Sequence, residues 1–426
     1  MGTSRFLSVG TVERLPSPPC PPKGNVFLTI SAPAQAPTGA SLSRSGRRRA
    51  MLALAMGGFG IGTTEFVAMG LLPQIAGGVG VSESTAGHVI TAYALGVVVG
   101  APLIAALTAR LPRRALLIGL MVAFTVGNAA TIVAPDYGGL LVARFVAGLP
   151  HGAYFGVASL VAAHLAGRGH RAKSVAMVMS GLAVANVVGV PAATWIGQAL
   201  GWRAAFAVVA VIGAVTVAAI TVWVPPLHAL RASNPATELG ALRRGQVWLT
   251  LVVGMVGFGG MFAVYTYVSF TMTEVAGLPM SLVPLALMVY GLGMVAGNIL
   301  GGRLADRALT RGLFAMMGAL VVLLATFAVA AHNPYTAMIV LFLVAAAGSA
   351  LVPGLQTRLM DVAADAQTLA AALNHSALNI ANAFGAWIGG AVIAAGFGYT
   401  APALVGSVLA LSGIAVLGVA VVTARR

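Results

Sequence analysis

The chain has 426 residues, of which 59% are hydrophobic and only 8% charged; soluble domains carry roughly 25% charged residues, so a soluble fold is excluded and a polytopic membrane protein is indicated. The formal charge of +15 would suggest nucleic acid in a soluble protein, but here the basic residues sit in short loops between apolar runs, where they set topology. The lone cysteine, Cys20, leaves no internal disulfide to form.

Residues 1–49 are rich in Ser, Pro and Arg and have no sustained apolar periodicity, which predicts a disordered basic tail. The run Val26 to Ile30 is too short for the core of a signal peptide, and a start at or near Met51 is the alternative reading of the tail. Arg47, Arg48 and Arg49 stand directly before the first crossing and should hold the N-terminus in the cytoplasm. That crossing, Met51 to Ile75, carries Glu65 at its centre, the one acid placed at membrane depth. A carboxyl group there is costly when ionised and is functional by default. It is either a proton carrier or a neutral hydrogen-bonding group for helix packing.

Apolar windows place helices near 50–74, 84–107, 114–134, 138–165, 174–200, 203–225, 246–272, 281–302, 312–332, 335–355, 367–394 and 399–422. Alternate loops hold nearly all the Arg and Lys, and the opposite set holds only Arg203, which fits twelve crossings with both termini cytoplasmic. The longest interior connection, 226–245, is a polar cytoplasmic linker between two six-helix bundles, 50–225 and 246–426. The halves repeat weakly: Gly58-Phe59-Gly60 matches Gly257-Phe258-Gly259, Ala185-Asn186 matches Ala381-Asn382, and Trp195-Ile196-Gly197 matches Trp387-Ile388-Gly389. The expected fold is an all-α membrane protein of twelve transmembrane helices in two pseudo-symmetric six-helix bundles, the plan of many alternating-access carriers.

In the fourth crossing Arg144, Gly148, His151 and Phe155 share one helical face. Arginine keeps its charge, so Arg144 must pair, plausibly with Glu65, or snorkel to an interface. His151 is a candidate for proton traffic or for simple packing. Gly181, Gly189, Pro191 and Gly197 mark the fifth crossing for close approach and bending. Met261, Tyr265, Tyr267 and Phe270 of the seventh either line a permissive cavity or sit in the lipid belt or core. His375, Asn379 and Asn382 form a polar face on the eleventh; uncharged groups of that kind suit a neutral or weakly polar substrate, or else bond helix to helix. For Asn186 and Asn382, the repeat-related pair, packing is the favoured role.

Four stretches, Gly62 to Pro73, Arg144 to Gly156, Ala185 to Phe206 and Asn374 to Gly390, resemble the major facilitator superfamily. Within it they are similar to the twelve-span drug:proton antiporter branch, of the arabinose-efflux-permease and chloramphenicol-resistance type. The loop signature of that superfamily appears well in Gly302-Arg303-Leu304-Ala305-Asp306-Arg307. It is degraded in the first half, where Ala105, Ala109 and Pro112 replace the usual Gly, Asp and Gly while Arg110, Arg113 and Arg114 remain. The resemblance implies export from bacteria across the inner membrane by proton antiport, with Arg144 in proton coupling, where the residues themselves also suggest Glu65 and His151. It implies Gly189, Pro191, Arg110, Arg113, Arg114, Asp306 and Arg307 in gating, while Tyr265, His375 and Asn379 are the candidates for the substrate cavity on their own chemistry. The Val190 that parts Gly189 from Pro191 departs from the adjacent Gly-Pro of the antiporter motif, and Ala109 removes the acid that helps to latch the outward-facing state.

No metal cluster, phosphate-binding loop or nucleophile constellation is recognisable, so no cofactor and no enzymatic activity are expected. The expected partners are a small-molecule substrate, protons and the lipid bilayer, with no nucleic acid, and the unit of function a monomer. A sugar or metabolite uptake carrier, or a membrane sensor without turnover, are the alternatives.

Overall fold

The computed structural model describes residues 43–108, 111–166, 171–227, 243–363 and 367–424. Arg110 and nearly all of the 226–245 linker fall outside them, as does the tail through residue 42.

The first helix, α1 (Arg44–Gly70), starts earlier than the sequence predicts. The Ser43 hydroxyl accepts from the Gly46 amide at 3.1 Å, so a capped turn carries Arg44 to Arg49 into the helix instead of leaving them in a tail. Pro73 opens α2 (Leu72–Val79), where its missing amide hydrogen costs nothing. Gly80 then ends that helix in the left-handed conformation, φ 69°. The rest of the first half is α3 (Glu83–Ala86), α4 (His88–Leu107), α5 (Arg113–Val133), α6 (Tyr137–Ala166), α7 (Arg171–Val184), α8 (Val190–Leu200) and α9 (Trp202–Trp223). A π-helical turn, Ala185–Gly189, joins α7 to α8. Pro191 explains it: proline cannot donate to the preceding turn and crowds its carbonyl, and the wider turn lets the Val190 amide reach back to the Ala185 carbonyl instead.

The second half runs through α10 (Gly245–Gly257), α11 (Gly259–Thr266), the short α12 (Val268–Phe270) and a second π-helical turn, Thr271–Val275. Then come α13 (Val283–Ala330), α14 (Pro334–Ala363), α15 (Gln367–Ala394) and α16 (Ala401–Thr423). The two crossings expected at 281–302 and 312–332 are joined without a loop in α13, a helical run of 48 residues. At 1.5 Å per residue it is roughly 72 Å long, more than twice the hydrocarbon core of a bilayer. It breaks at Ala308 (φ −159°, ψ 69°), immediately after Asp306 and Arg307, so it turns back as two crossings.

Among the described residues eleven helical segments are long and apolar enough to span a membrane, the doubled α13 being one of them, which makes twelve crossings. Their outer faces carry exposed Leu52, Val133, Trp195, Val222, Tyr335 and Trp387. These side chains belong in a lipid environment, because helices satisfy their own backbone polar groups there. Small residues bring helices together. Gly96 and Gly148 fit α4 against the α6 backbone so closely that a Cβ at either would strike a carbonyl oxygen. Arg203, the lone basic residue of its set of loops, opens α9. It donates from Nε to the Ile132 carbonyl (3.0 Å) and from Nη2 to the Ala134 carbonyl (3.1 Å) at the end of α5, and stacks on Trp202 at 4.2 Å. It therefore caps α5 as well as setting topology.

Candidate functional site

Glu65 lies in the last two turns of α1, 6% exposed. Its neighbour Phe66 points to the other half, stacking on Phe262 (6.4 Å) and against Tyr265 (5.7 Å) of α11. Tyr265 stacks flat on Tyr290 of α13, with centroids 3.8 Å apart and planes 5° apart. Asn382 of α15 stands beside the Glu65 carboxyl, although its amide closes no regular hydrogen bond. Glu65 thus faces a seam built by α1, α11, α13 and α15, with side chains from both halves.

Arg144 lies on the other side of α1. It is fully buried in α6, not at an interface, so snorkelling does not describe it. Its guanidinium donates from Nη1 to the Thr64 hydroxyl and from Nη2 to the Thr64 carbonyl, both at 3.0 Å. The Thr64 hydroxyl donates in turn to Asn128 Oδ1 (2.5 Å), and Asn128 Nδ2 donates to the Phe124 carbonyl (2.8 Å). The aromatic walls are Tyr93, 4.4 Å from the guanidinium, and Phe206, 5.1 Å away. The hydrogen bonds of Arg144 therefore go to Thr64, one residue before Glu65, and its charge acts on Glu65 through space. Its Nε is buried without a partner among the described residues.

From Arg144 a line of rings leads on. The Tyr93 hydroxyl lies 3.1 Å from His151 Nδ1. His151 packs on Phe155 (5.4 Å), and the other face of Phe155 meets His375 of α15 at 5.9 Å with planes 4° apart. Phe155 is therefore a divider between a histidine of each half. Asn379, one turn on from His375, donates from Nδ2 to the His375 carbonyl at 3.0 Å. Tyr265 falls on the seam and His375 lies against Phe155 with Asn379 one turn on, while Met261, Tyr267 and Phe270 are buried in helix packing.

The gating candidates divide into two groups. Gly189 closes the π-helical turn and lets α1 approach it; a Cβ there would run into the Thr63 hydroxyl and the Phe59 ring. Gly189→Leu is therefore expected to force the π turn off α1 and cut transport at least tenfold, measured as flux in vesicles containing equal amounts of folded protein; normal flux would refute the role of that close approach. Pro191 follows as the cause of the turn. The charged candidates are not gathered. Asp306 and Arg307 are exposed beside the Ala308 break, and Arg114 donates to the Thr221 carbonyl at the end of α9, within its own half. Arg113 is half-buried at the start of α5, and Arg110 lies outside the described residues.

The halves are bonded together at the end of the bundle where α1 terminates. Ser269 donates to the Met69 and Gly70 carbonyls (2.9 and 3.0 Å), Gln198 Nε2 to the Met280 carbonyl (3.0 Å), and Thr91 to the Ala383 carbonyl (3.4 Å). Tyr399, in the loop before α16, stacks on Phe270 at 5.4 Å and stands beside Glu83. Burial first, then the Glu83 and Glu274 carboxylates, pushes its phenol up to about 12, so it remains a proton donor across neutral pH.

The residues that sequence reasoning missed are Thr64, Asn128, Tyr93, Tyr290 and Phe66. Asn128 and Tyr290 were open to detection as isolated polar groups inside apolar runs. Thr64 was hidden because its partner lies 80 positions away in the chain.

The family model described as the Major Facilitator Superfamily matches residues 54–328 and 281–426. The Escherichia coli K12 inner membrane transport protein YdhP is 42% identical over 367 residues, covering 86% of this chain and 94% of that protein. The putative transporter AraJ of the same organism is 34% identical, covering 87% and 94%. A chloramphenicol resistance protein of Streptomyces lividans is 34% identical, covering 76% and 84%. Among solved structures, a bacterial homologue of the human lysosomal transporter Spinster, inward-facing and occupied, superposes with a TM-score of 0.70 at 16% identity, covering 89% of this chain and 97% of that one. A D-xylose–proton symporter gives 0.66 at 17%, covering 86% and 97%.

Proposed function

The chain belongs to the major facilitator superfamily and is a membrane transporter, and from that premise we propose that it exports a small organic molecule across the bacterial inner membrane by proton antiport with alternating access. The observation that carries this reading is Glu65. It is the one carboxyl group among the buried described residues, and it faces the seam between the halves with the fixed charge of Arg144 behind it. A carboxyl in that place has a neutral and an ionised form of very different cost. Protonation from one side and release to the other then alternates with substrate binding in the same seam. Tyr93 and His151 stand between Arg144 and the Phe155 divider, a position suited to His151 in proton coupling. Tyr265, His375 and Asn379 line the substrate side.

In this reading both termini are cytoplasmic, and the bonded end of the bundle is the periplasmic one. The π turn with Gly189 and Pro191 bends as the halves rock, and Asp306, Arg307, Arg110, Arg113 and Arg114 engage at the cytoplasmic end in the opposite state. A single chain suffices, and no cofactor or catalytic step takes part. The relatives named for inner membrane transport and for chloramphenicol resistance support the membrane and the direction.

The test is reconstitution into lipid vesicles with a pH difference imposed across the membrane. Substrate accumulating on the acidic side supports antiport. Accumulation on the alkaline side would assign uptake by symport, and flux indifferent to the gradient would remove the proton from the mechanism.

A further inference from the structure

The helices packed around Glu65, and the π-helical turn Ala185–Gly189, carry a set of buried polar atoms with no hydrogen-bond partner among the described residues. They are Asn186 Oδ1, Asn379 Oδ1, both ends of Asn382, and the hydroxyls of Tyr265 and Tyr290. These five side chains are all at least nine-tenths buried. Buried polar groups are nearly always paired, and each unpaired one is costly. Such a set, with Asn382 and Tyr265 beside the Glu65 carboxyl, is best explained by a ligand that pairs them when the halves part.

The chemistry of that ligand follows from how two of the amides are held. Asn186 donates from Nδ2 to the Leu182 carbonyl at 2.9 Å, and Asn379 donates from Nδ2 to the His375 carbonyl at 3.0 Å. A carbonyl accepts only from the NH₂ end, so each orientation is settled by the helix's own backbone. The free end of both side chains is therefore an acceptor. One is supplied by the first half and one by the second. Asn186 and Tyr290 are brought together where the Asn186 backbone packs on Gly291. Asn382 lies one turn beyond Asn379 on the same face of α15. The flat pair Tyr265–Tyr290 and the Phe66 ring add an apolar wall.

The charge of the site narrows the class further. Glu65 and Arg144 are its two charged groups, and they balance when Glu65 is ionised. Under antiport the ligand binds when Glu65 is ionised, and the balanced pair then gives a cation no net attraction, which suits a neutral ligand.

We infer that the seam binds a neutral molecule that donates two or more hydrogen bonds through hydroxyl or amide N–H groups. Asn186 on one side and Asn379 on the other accept them, and the molecule's apolar face lies on the tyrosine pair. This assignment rests on the transporter reading and adds to it the substrate class. A ligand bonded to both halves has differential affinity for the states in which they approach and part, which is what alternating access needs.

The test measures binding to the full purified chain by its thermal midpoint and by equilibrium dialysis. The probes are phenyl β-D-xyloside, its tri-O-methyl ether, which has the same ring but no donor, and tetraphenylphosphonium, a cation without donors. The xyloside is expected to bind, and the ether and the cation to bind at least tenfold more weakly. Asn186→Leu and Asn379→Leu should each weaken xyloside binding about tenfold, the worth of one hydrogen bond, while the thermal midpoint without ligand shows that each variant is folded. Binding of none of the three probes, equal binding of xyloside and ether, or preference for the cation overturns the inference. Flux of other cargo without xyloside binding would sink this assignment alone. Xyloside binding without counterflow in vesicles would instead sink the transporter reading and leave the site standing.

Discussion

Glu65→Gln is expected to abolish gradient-driven transport while leaving exchange intact. Under one-for-one antiport, a pH difference of two units is worth about 2.7 kcal/mol, enough to hold roughly a hundredfold gradient of substrate. Coupling of that kind needs a group with two protonation states at the seam. Glutamine has nearly the same shape and hydrogen-bonding reach but only one state. The variant should therefore accumulate no substrate above equilibrium in vesicles with an imposed pH difference, a loss of up to about a hundredfold. Its substrate counterflow, measured without a pH difference, should stay within a few-fold of the parent. Both measurements come from one vesicle preparation, which separates coupling from folding. A variant that still holds the gradient, with unchanged pH dependence, would remove Glu65 from the coupling mechanism.

Arg144 should be as sensitive, for a different reason. Its guanidinium spans two acceptors of one residue, the Thr64 hydroxyl and the Thr64 carbonyl, while Tyr93 and Phe206 cover its flat faces. Lysine keeps the charge but has neither the fork nor the plane. Arg144→Lys is expected to lose one of the two bonds and the stacking, and with them the placement of Thr64 and of Glu65 beside it. Taking one partner out of a buried charged network costs about 3 to 5 kcal/mol. The expected results are a clear fall in thermal midpoint for Arg144→Ala, a smaller one for Arg144→Lys, and transport reduced at least thirtyfold in both. Normal transport by the lysine variant would mean that charge alone suffices and that the bridge to Thr64 is idle.

These two residues also show how far the sequence is readable. Glu65 and Arg144 stood out because ionised groups are rare at membrane depth, and both are indeed buried. The helices were legible for the same reason, since a bilayer demands long apolar runs. The pairing was not legible. The hydrogen bonds of Arg144 go to a threonine hydroxyl and a main-chain carbonyl, and neither leaves a trace in charge or hydropathy. Tyr290 is recognisable as a polar group in an apolar run, but its partner is not: only the packing of α13 against α11 brings it flat onto Tyr265. The start of α1 was misplaced because capping by Ser43 outweighs the polar character of the arginines that follow. The two crossings through 283–330 were legible as apolar runs, but their junction was not, because the chain turns at one residue, Ala308, without an intervening loop.

The closed end of the bundle has a consequence for how such a protein can change over generations. Three of its contacts between the halves join a side-chain donor, Ser269, Gln198 or Thr91, to a main-chain carbonyl. A carbonyl is present whatever residue bears it, so Met69, Met280 and Ala383 can be replaced without loss of the acceptor. Selection for those three contacts therefore falls on the donors and not on matched pairs. A lineage can recast the lining of one half for a new cargo without a compensating change in the other, because the two halves meet there on backbone that substitution does not remove.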